Sequence, residues 1–525
     1  MSKIDSLPFD DFLGLHGHAA RTPEALALTA PGRKPLTYHE LFDHLKTVHR
    51  ALRGAGFCQG EVATLVMPNG PELITAFLAI STIGAGAPIS PALTESEFRF
   101  YLSKLRPHVL FLPHPAPVPA TLAAQALGVK VLTVHSTVND PAGIFTLQVT
   151  ENGQPTFAVR TTDVALLLFT SATTATPKLV PLTRENLRAM ALRHALPLRV
   201  GAADRFLSLM PLFHHYGLVA VLAQLLAGGV VIGTPGFHPG SFLALLDEFR
   251  PTWFTSNPPL NRSILELAHR NPEVFRRVSL RLIRCTGTAQ TEALMLLEQA
   301  VGVPVLAGYG LTETGVVTLC TPHARKPGSV GRATDLEVAI TDPLGNFLGA
   351  ESEGEIVVRG TSVTSGYLDS PEANQVAFRH GWFHTGDIGH LDSDGFLFLT
   401  GRLKEMISRG GEKIIPQEVD DALAHHPAVA EAAAFAVAPP TLGEDLAAAV
   451  VLRRGAATSE LELRRFLAAR LAPFKIPRRI LFVDALPRTA TGKPSRTILA
   501  EQLLIERKNL LSGQRPAYPP HVTST

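Results

Sequence analysis

The 525-residue sequence has few cysteines and no excess of either charge. Cys58, Cys285 and Cys320 lie far apart and show neither CxxC nor Cys/His ligand spacing, which excludes a disulfide framework and indicates no zinc site. With 48 basic and 46 acidic residues the formal net charge is only +2, so no basic stripe for nucleic acid is present. At this length, 46% hydrophobic residues predict two or more globular domains.

Long apolar runs are also scarce. Residues 206–246 carry no Asp, Glu, Lys or Arg, a length at which a membrane span has to be considered. Pro211, "GG" at 228 and "TPGFHPG" interrupt the run, so we predict a buried helix, a short "VVIG" strand and a loop instead. The opening "MSKIDSLPFDDFLGLHGH" lacks a signal-peptide core and the ending "HVTST" is no recognised targeting tail, which favours a cytoplasmic protein without a membrane span.

Strand and helix patterns alternate through most of the chain. Helix-like segments at 40–56 and 70–84 alternate with strand-like segments at 61–67, 108–113 and 129–134. This alternation predicts an α/β fold of layers built on largely parallel sheets.

Two regions of different pattern follow. Short strand-like segments separated by turn residues occupy 337–401, as in a small antiparallel or β-barrel-like subdomain, and an α+β pattern comes after them. We therefore predict a large N-terminal domain over 1–402, a small mobile α+β domain over 403–512 and a loose tail over 513–525.

A loop of small polar residues follows the apolar strand pattern "VALLLF" and ends at Lys178, just before the helix-like "TRENLRAMALRH". Amide groups, hydroxyls and a lysine after a strand suit a triphosphate. The Walker pattern GxxxxGK[ST] is nevertheless absent, and 166–183 contain no glycine. These residues alone are compatible with a phosphate site or with a Ser/Thr-rich surface turn.

Four motifs in order along the chain resemble those of the adenylate-forming acyl-CoA synthetase superfamily. "FTSATTATPKLVPLT" resembles the signature TSGTTGxPKG, with Ala172, Ala175 and Leu179 in place of glycine. "AGYGLTETG", the segment 381–420 and "PRTATGKPSRTIL" resemble its other motifs. The resemblance covers nearly the whole chain. It implies ATP-dependent activation of a carboxylate to an acyl-adenylate, release of pyrophosphate, and transfer of the acyl group to a thiol, usually that of coenzyme A.

The resemblance also implies roles for the matched residues. Charge builds on phosphate oxygens during in-line attack, so positioned cations and donors are needed. Lys493 is expected to bridge the carboxylate and the α-phosphate, and Glu313 to hold Mg²⁺. The catalytic candidates are Lys493, Thr312, Glu313, Lys178 and His214. The nucleotide-binding candidates are Thr170, Ser171, Ala172, Thr173, Thr174, Gly308, Tyr309, Gly310, Thr312, Asp387, Arg402 and Lys493.

The resemblance assigns three of the nucleotide-binding candidates to separate parts of ATP. Asp387 is expected to accept hydrogen bonds from the ribose hydroxyls, and Arg402 to add a ribose or phosphate contact. Tyr309 is expected to lie against the adenine.

Three positions concern the second half of the reaction. Lys404 follows "GRL", where relatives have the hinge of the small domain. Gly410 and Gly411 would let the backbone approach a pantetheine arm closely.

Ala172 is the main departure from the family pattern. If its φ had to be positive, alanine would cost roughly 1–3 kcal/mol. Three explanations compete: the backbone there suits alanine, turnover is slowed, or ATP is no longer turned over. The other catalytic positions are retained, which favours the first two.

The acyl site is expected to include His214, Tyr216, Gly287, Thr288 and Val316. No Asp stands near "MPLFHHYGL" to pair with an α-amine, which disfavours amino acids. The chain is most similar to the oxalyl-CoA synthetase-like branch, although Tyr216 and Asn261 stand where that branch has histidines. Losing two potential cations disfavours a dianion such as oxalate, so we expect a small or medium carboxylic acid.

The predicted activity is that of an AMP-forming acid–thiol ligase using ATP, Mg²⁺ and coenzyme A. Loading of a carrier protein remains an alternative for the acceptor, as does a catalytically weakened nucleotide-binding homologue for the whole chain. We expect a monomer or homodimer, with no nucleic-acid partner.

Overall fold

The computed structural model describes residues 11–151, 163–170, 177–287, 289–409, 412–437, 444–488 and 494–502. The first elements in chain order are α1 (Leu15–Arg21), β1 (Leu26–Thr29), β2 (Leu36–Thr37), α2 (Tyr38–Gly54), β3 (Val62–Leu65), α3 (Pro71–Ser81), β4 (Ala85–Pro88), α4 (Glu95–Leu105), β5 (Val109–Pro113), α5 (Val118–Leu127), β6 (Lys130–His135), β7 (Thr146–Glu151), β8 (Val164–Phe169) and β9 (Leu179–Thr183).

The middle of the chain continues the alternation of helices and strands. Its elements are α6 (Arg184–Ala195), β10 (Arg205–Ser208), α7 (His215–Leu226), β11 (Val230–Gly233), α8 (Pro239–Phe249), β12 (Trp253–Ser256), α9 (Pro258–Arg270), α10 (Pro272–Arg277), β13 (Leu282–Thr286), α11 (Glu292–Val301), β14 (Val305–Leu311), β15 (Gly315–Leu319) and β16 (Arg332–Ala333).

The last part begins with short strands and ends in mixed elements. They are β17 (Glu337–Thr341), β18 (Gly354–Arg359), α12 (Pro371–Ala377), β19 (Phe378–Arg379), β20 (Trp382–Leu391), β21 (Leu397–Arg402), a 3₁₀ turn (Leu403–Glu405), β22 (Ile407–Arg409), β23 (Glu412–Ile414), α13 (Pro416–Ala424), β24 (Val429–Val437), β25 (Asp445–Leu452), α14 (Glu460–Ala468), a second 3₁₀ turn (Pro473–Lys475) and β26 (Arg479–Phe482).

Two large sheets form the main body, and both are mostly parallel, as predicted. The seven-stranded sheet has the order β7-β6-β5-β3-β4-β8-β9, with antiparallel pairing only at its two edges. The nine-stranded sheet has the order β16-β15-β14-β13-β12-β10-β11-β1-β2 and is parallel from β14 to β1. Parallel sheets need helices on their faces, and one hydrophobic cluster joins residues of both sheets and of α2, α3 and α7.

Local sequence explains why the helices form. Thr37 caps α2 in a capping box with Glu40, which satisfies two free N–H groups at the helix start. Behind the cap, Leu41, Leu45 and Leu52 recur at helical spacing and are fully buried, so one face of α2 packs into the core.

The charge-free segment 206–246 is divided as predicted. It runs through β10, the buried helix α7, the "VVIG" strand β11 and the first part of α8. Among the described residues, no helix is both long and apolar enough to cross a bilayer.

Besides the two-stranded sheet of β22 and β23, two smaller sheets follow the main body in the described ranges. β17, β18, β20, β19 and β21 form a five-stranded antiparallel sheet, where the sequence predicted short strands. β24, β25 and β26 form a three-stranded sheet that shares a separate core with α13 and α14. This last unit is the α+β arrangement that the sequence predicted.

Candidate active site

The candidate site lies at the carboxyl edge of the nine-stranded sheet. Parallel strands β10, β12, β13 and β14 end together there, and ligands of open α/β sheets bind at such an edge. β14 leads directly into Thr312 and Glu313. Several predicted residues therefore meet because the strand topology gathers them.

The predicted phosphate loop joins two antiparallel strands. Phe169 of β8 lies opposite Leu179 of β9. Beyond this pair, the Thr170 N–H donates to the Lys178 carbonyl at 2.9 Å, and the Lys178 N–H donates to Thr170 Oγ1 at 3.1 Å. We expected a helix directly after Lys178, but β9 intervenes before α6 begins at Arg184. Thr170 and Lys178, on either side of 171–176, are thus bonded to each other.

Glu313, Tyr367 and Lys178 form one cluster at this hairpin. The Tyr367 hydroxyl donates to Glu313 Oε1 at 2.8 Å, and Lys178 Nζ lies over the Tyr367 ring, 4.2 Å from its centroid. Glu313 is only 7% exposed, and this burial raises the pKa of its carboxyl, although Tyr367 and Lys178 oppose the rise. A buried carboxylate beside a lysine is suited to hold a cation against an anion.

Asp387 is the centre of a second cluster. Its Oδ2 accepts the Tyr309 hydroxyl at 2.6 Å, and its Oδ1 is 2.6 Å from Arg402 Nε. Asp387 and Arg402 are opposite each other on β20 and β21, so sheet register brings them together. The carboxylate is buried but has lone pairs beyond these two bonds, which leaves acceptor positions for a ligand.

Thr312 contacts a histidine other than the predicted one. Its Oγ1 lies 3.5 Å from Nδ1 of His215, whereas Nε2 of His214 is buried without a hydrogen-bond partner among the described residues. Burial lowers the pKa of His214 to about 4, so its ring is neutral at neutral pH. Of these two histidines, His215 is the one with a contact to Thr312 in the described residues.

A narrow cavity lies beside Thr312 in the direction of the predicted acyl site. Tyr216, Val316 and Gly310, all predicted, line it together with Arg284 and His194. The Tyr216 hydroxyl donates to the carbonyl oxygen of Arg284 at 2.8 Å. A water-sized sphere has only about 10 Å³ of free room in this cavity.

The structure shows fewer contacts for the other predicted residues. Gly287 follows β13 with a φ of 81° but does not line the cavity. Gly308 pairs with Thr286. Lys404 is exposed in the 3₁₀ turn. Burial of Lys178 lowers its pKa, and the charge of Lys404 lowers it further, so this turn lies close to the hairpin of β8 and β9. Ser171, Ala172, Thr173, Thr174, Thr288, Gly410, Gly411 and Lys493 lie outside the described residues.

Comparison with known proteins decides the family. A model of the AMP-binding enzyme family matches residues 15–368. The chain belongs to this family. A second model, of the AMP-binding enzyme C-terminal domain, matches residues 418–493.

Relatives match along nearly the whole chain. The oxalate–CoA ligase of Arabidopsis thaliana is 36% identical over 505 residues, which covers 93% of this chain and 98% of that protein. The oxalate–CoA ligase of Saccharomyces cerevisiae is 36% identical over 518 residues, covering 90% and 94%. The o-succinylbenzoate CoA synthetase of Bacillus subtilis, solved with its acyl-adenylate, has a TM-score of 0.79 at 30% identity, covering 92% of this chain and 97% of that chain.

Membership in the family gives the class of reaction. The chain is an ATP-using, AMP-forming acid–thiol ligase that activates a carboxylic acid as an acyl-adenylate. The identity of the acid and of the thiol is a finer question.

The motifs did not predict Tyr367, His215, His194 or Arg284. Tyr367 lies outside the matched motifs, and nothing in "SGYLDSP" indicated that it would reach Glu313. Arg284 did have a signal: it is the single charge in the strand sequence "LIRCT" of β13, and charges are almost never fully buried unless they are paired.

Proposed function

We propose that this enzyme is a ligase that joins a short carboxylic acid to coenzyme A with ATP and Mg²⁺. The cluster of Glu313, Tyr367 and Lys178 carries the proposal, because a buried carboxylate and an ammonium group share one aromatic side chain. A metal ion would contact the carboxylate of Glu313, and the phosphate bound to that ion would contact the ammonium group of Lys178 close by.

Mg²⁺ fits the chemistry of this cluster. Within the described ranges, no three His, Cys, Asp or Glu side chains come together as a metal site. Mg²⁺ commonly needs only one or two carboxylates when substrate phosphates supply further oxygens. Glu313 would hold the ion, which when bound neutralises charge on the phosphates. Lys178 and the hydroxyl groups of the hairpin loop would hold the departing pyrophosphate.

Asp387 and Arg402 would orient the nucleotide. Their mutual ion pair and the Tyr309 hydroxyl hold the Asp387 carboxylate in one orientation. The remaining lone pairs of the carboxylate would then accept the ribose hydroxyls. Thr312 would donate to the α-phosphate, and Lys493 would bridge that phosphate and the attacking carboxylate. These residues would act by positioning and by compensating charge.

Coenzyme A is the proposed acceptor, and residues 403–512 are the proposed mobile domain. The support comes from relatives named as oxalate–CoA ligases, which align with at least 90% of this chain. Lys404 in the turn after β21 would be the hinge, and Gly410 and Gly411 would flank the pantetheine arm.

The test is pyrophosphate release from ATP and Mg²⁺ across short carboxylic acids, with acyl-CoA detected by mass spectrometry. We expect release with one or a few acids and a matching acyl-CoA product. Glu313→Gln is expected to lower kcat roughly 100-fold and to shift the Mg²⁺ requirement upward, because it removes a charge that acts on the transferring phosphate.

Glu298→Gln is the matched control, since Glu298 is bonded to Arg325 and takes no part in the cluster. It is expected to leave the Mg²⁺ dependence unchanged. Wild-type kinetics in Glu313→Gln would contradict the metal role. Acyl transfer to a holo carrier protein but not to coenzyme A would contradict the acceptor.

A further inference from the structure

Arg284 is a buried charged residue that has no role in the reaction proposed above. It lies on β13 and is 1% exposed, and its Nε and Nη1 have no hydrogen-bond partner among the residues that the structure describes. Arginine stays charged in proteins. An unpaired buried ion strongly destabilises a folded protein, so this guanidinium is expected to have an anionic partner.

None of the neighbouring groups is that anion. No Asp or Glu is among the described residues that line the cavity. Burial raises the pKa of Cys285 and of Cys320 to about 11, and it raises the pKa of Tyr216 as well. At neutral pH the two thiols and the phenol are therefore uncharged.

The surroundings hold the guanidinium in place without neutralising it. Its central carbon lies 4.6 Å from the centroid of the Tyr216 ring, and that ring is tied back to the Arg284 carbonyl. A cation–π contact of this kind compensates only part of the cost of burying the charge. A Cβ at Gly308 would come within 2.9 Å of Nη2, so glycine leaves room for the group.

His194 adds a neutral donor to the same cavity. It is 1% exposed, and neither ring nitrogen has a partner among the described residues. Burial, followed by the charge of Arg284, lowers the pKa of His194 well below its usual value. The ring is thus uncharged and offers one N–H, whereas the guanidinium of Arg284 carries a permanent positive charge.

The cavity adjoins the reaction centre. Gly310, Gly315 and Val316 also line it, and the first two flank Thr312 and Glu313 in the sequence. An acid whose reacting carboxylate lies at Thr312 would therefore extend toward Arg284. The free room of about 10 Å³ is about that of one water molecule, so a second anionic group enters this cavity only with a shift of the lining side chains.

We propose that Arg284 binds a second anionic group on the acid, a carboxylate or a sulfonate, so that the substrates are short dianionic acids. This inference rests on the ligase function proposed above and names its substrate class. Tyr216 and Asn261 stand where we expected histidines, and the absence of those two histidines disfavoured a dianion. Arg284 supplies a cation from the strand instead of from those positions.

The experiment compares acids matched in length: malonate against propionate, and succinate against butyrate. The readout is kcat/KM for pyrophosphate release, expressed as the ratio of dianion to monoanion. We expect the wild-type enzyme to prefer the dianion of each pair. Arg284→Met is expected to lower the ratio roughly 100-fold, mainly through KM for the dianion, because a buried charge pair is lost.

Two further variants separate binding from folding. Arg284→Lys keeps the charge and is expected to retain part of the preference. Arg281→Met is the matched control on the same chain segment: Arg281 pairs with Asp204 at 2.8 Å and does not line the cavity, so the ratio is expected to stay at the wild-type value. Should Arg284→Met fail to fold, the wild-type ratio and the lysine variant still decide.

The outcomes distinguish the two proposals. A wild-type enzyme that is active on propionate or butyrate with no preference for dianions overturns the role of Arg284 and leaves the ligase function standing. An unchanged ratio in folded Arg284→Met does the same. No release of pyrophosphate with any acid overturns the ligase function and this inference with it.

Discussion

Single buried side chains set how the protein responds to pH. His44 on α2 is 6% exposed, and its Nε2 accepts the N–H of Phe145 at 3.3 Å. Burial lowers the pKa of His44 to about 4, as it does for His214. Both rings are therefore neutral in the folded protein at pH values where a histidine of the unfolded chain is already protonated.

Protonation of these two histidines at low pH destabilises the folded protein. The unfolded chain binds a proton at each of these histidines near pH 6.5, whereas the folded protein does so only near pH 4. The contribution of these neutral histidines to the free energy of unfolding is fully present above pH 6.5 and is lost as the pH falls to 4. We expect the free energy of unfolding to decrease over this range by up to about 3 kcal/mol per histidine, measured by urea unfolding.

A substitution at His44 tests whether this residue contributes to the pH dependence of stability. His44→Gln is expected to make the dependence on pH less steep, because no buried imidazole then titrates at this position. His39→Gln is the control, since His39 is on the same helix with its side chain 59% exposed, and it is expected to change little. Equal slopes in wild type and His44→Gln would refute this account.

Residues of the site could be predicted where they lie within contiguous motifs. Glu313 and Asp387 were predicted in this way as candidate-site residues, and the structure places each of them, buried, in a cluster. Tyr367 could not be found, because its contact with Glu313 spans 54 positions and only the fold brings the two together. Arg284 gave a signal in the sequence, but the lack of a partner became visible only in three dimensions.

At the scale of elements, the hairpin β14–β15 controls the geometry of the reaction centre. Its register shifts between Tyr309 and Gly310, and a Cβ at Gly310 would lie 2.2 Å from the carbonyl oxygen of Gly315. The two strands can approach this closely only because residue 310 is glycine.

Gly310→Ala is expected to push the strands apart next to Thr312. A shift of about 1 Å at a reacting group can lower the rate roughly 100-fold, and overpacking costs about 1–3 kcal/mol of stability. ATP–pyrophosphate exchange and thermal unfolding measure the two effects. Gly349→Ala, where no atom lies within 4 Å of the added Cβ, is expected to behave as wild type. Wild-type exchange in Gly310→Ala would contradict this role of the hairpin.

Most elements could be predicted from periodicity, because long amphipathic helices such as α2 and apolar strands such as β5 carry strong local patterns. The strand β9 was missed. It has five residues, includes Pro181 and leads straight into α6, so its pattern could not be separated from the helix start. Proline is tolerated there because β9 is an edge strand.

At the scale of the whole molecule, an ion pair joins the small C-terminal unit to the main body. Arg262 of α9 bonds to Glu431 of β24, and Arg488 also bonds to Glu431, at 2.5 Å. Glu431 is the more buried partner, with a side chain 15% exposed against 57% for Arg262. The pair contributes to one orientation of the small unit.

Glu431→Gln is expected to weaken that orientation by up to about 1 kcal/mol. This corresponds to roughly a fivefold change in the ratio of adenylate formation to acyl-CoA formation, assayed separately. Glu337→Gln breaks an exposed pair with Arg359 within the five-stranded sheet and is expected to leave the ratio unchanged. An unaltered ratio in Glu431→Gln would mean that this ion pair does not bias the domain orientation.

The position of β1 in the nine-stranded sheet has a consequence during synthesis on the ribosome. Leu28 of β1 pairs with Val231 of β11, a partner that is translated about 200 residues later, after a delay of roughly 10–40 s at usual elongation rates. The strands of the seven-stranded sheet from β3 to β9 emerge in the meantime. Until β11 is made, β1 has β2 as its neighbour on one edge, whereas its other edge lacks the strand that completes the sheet.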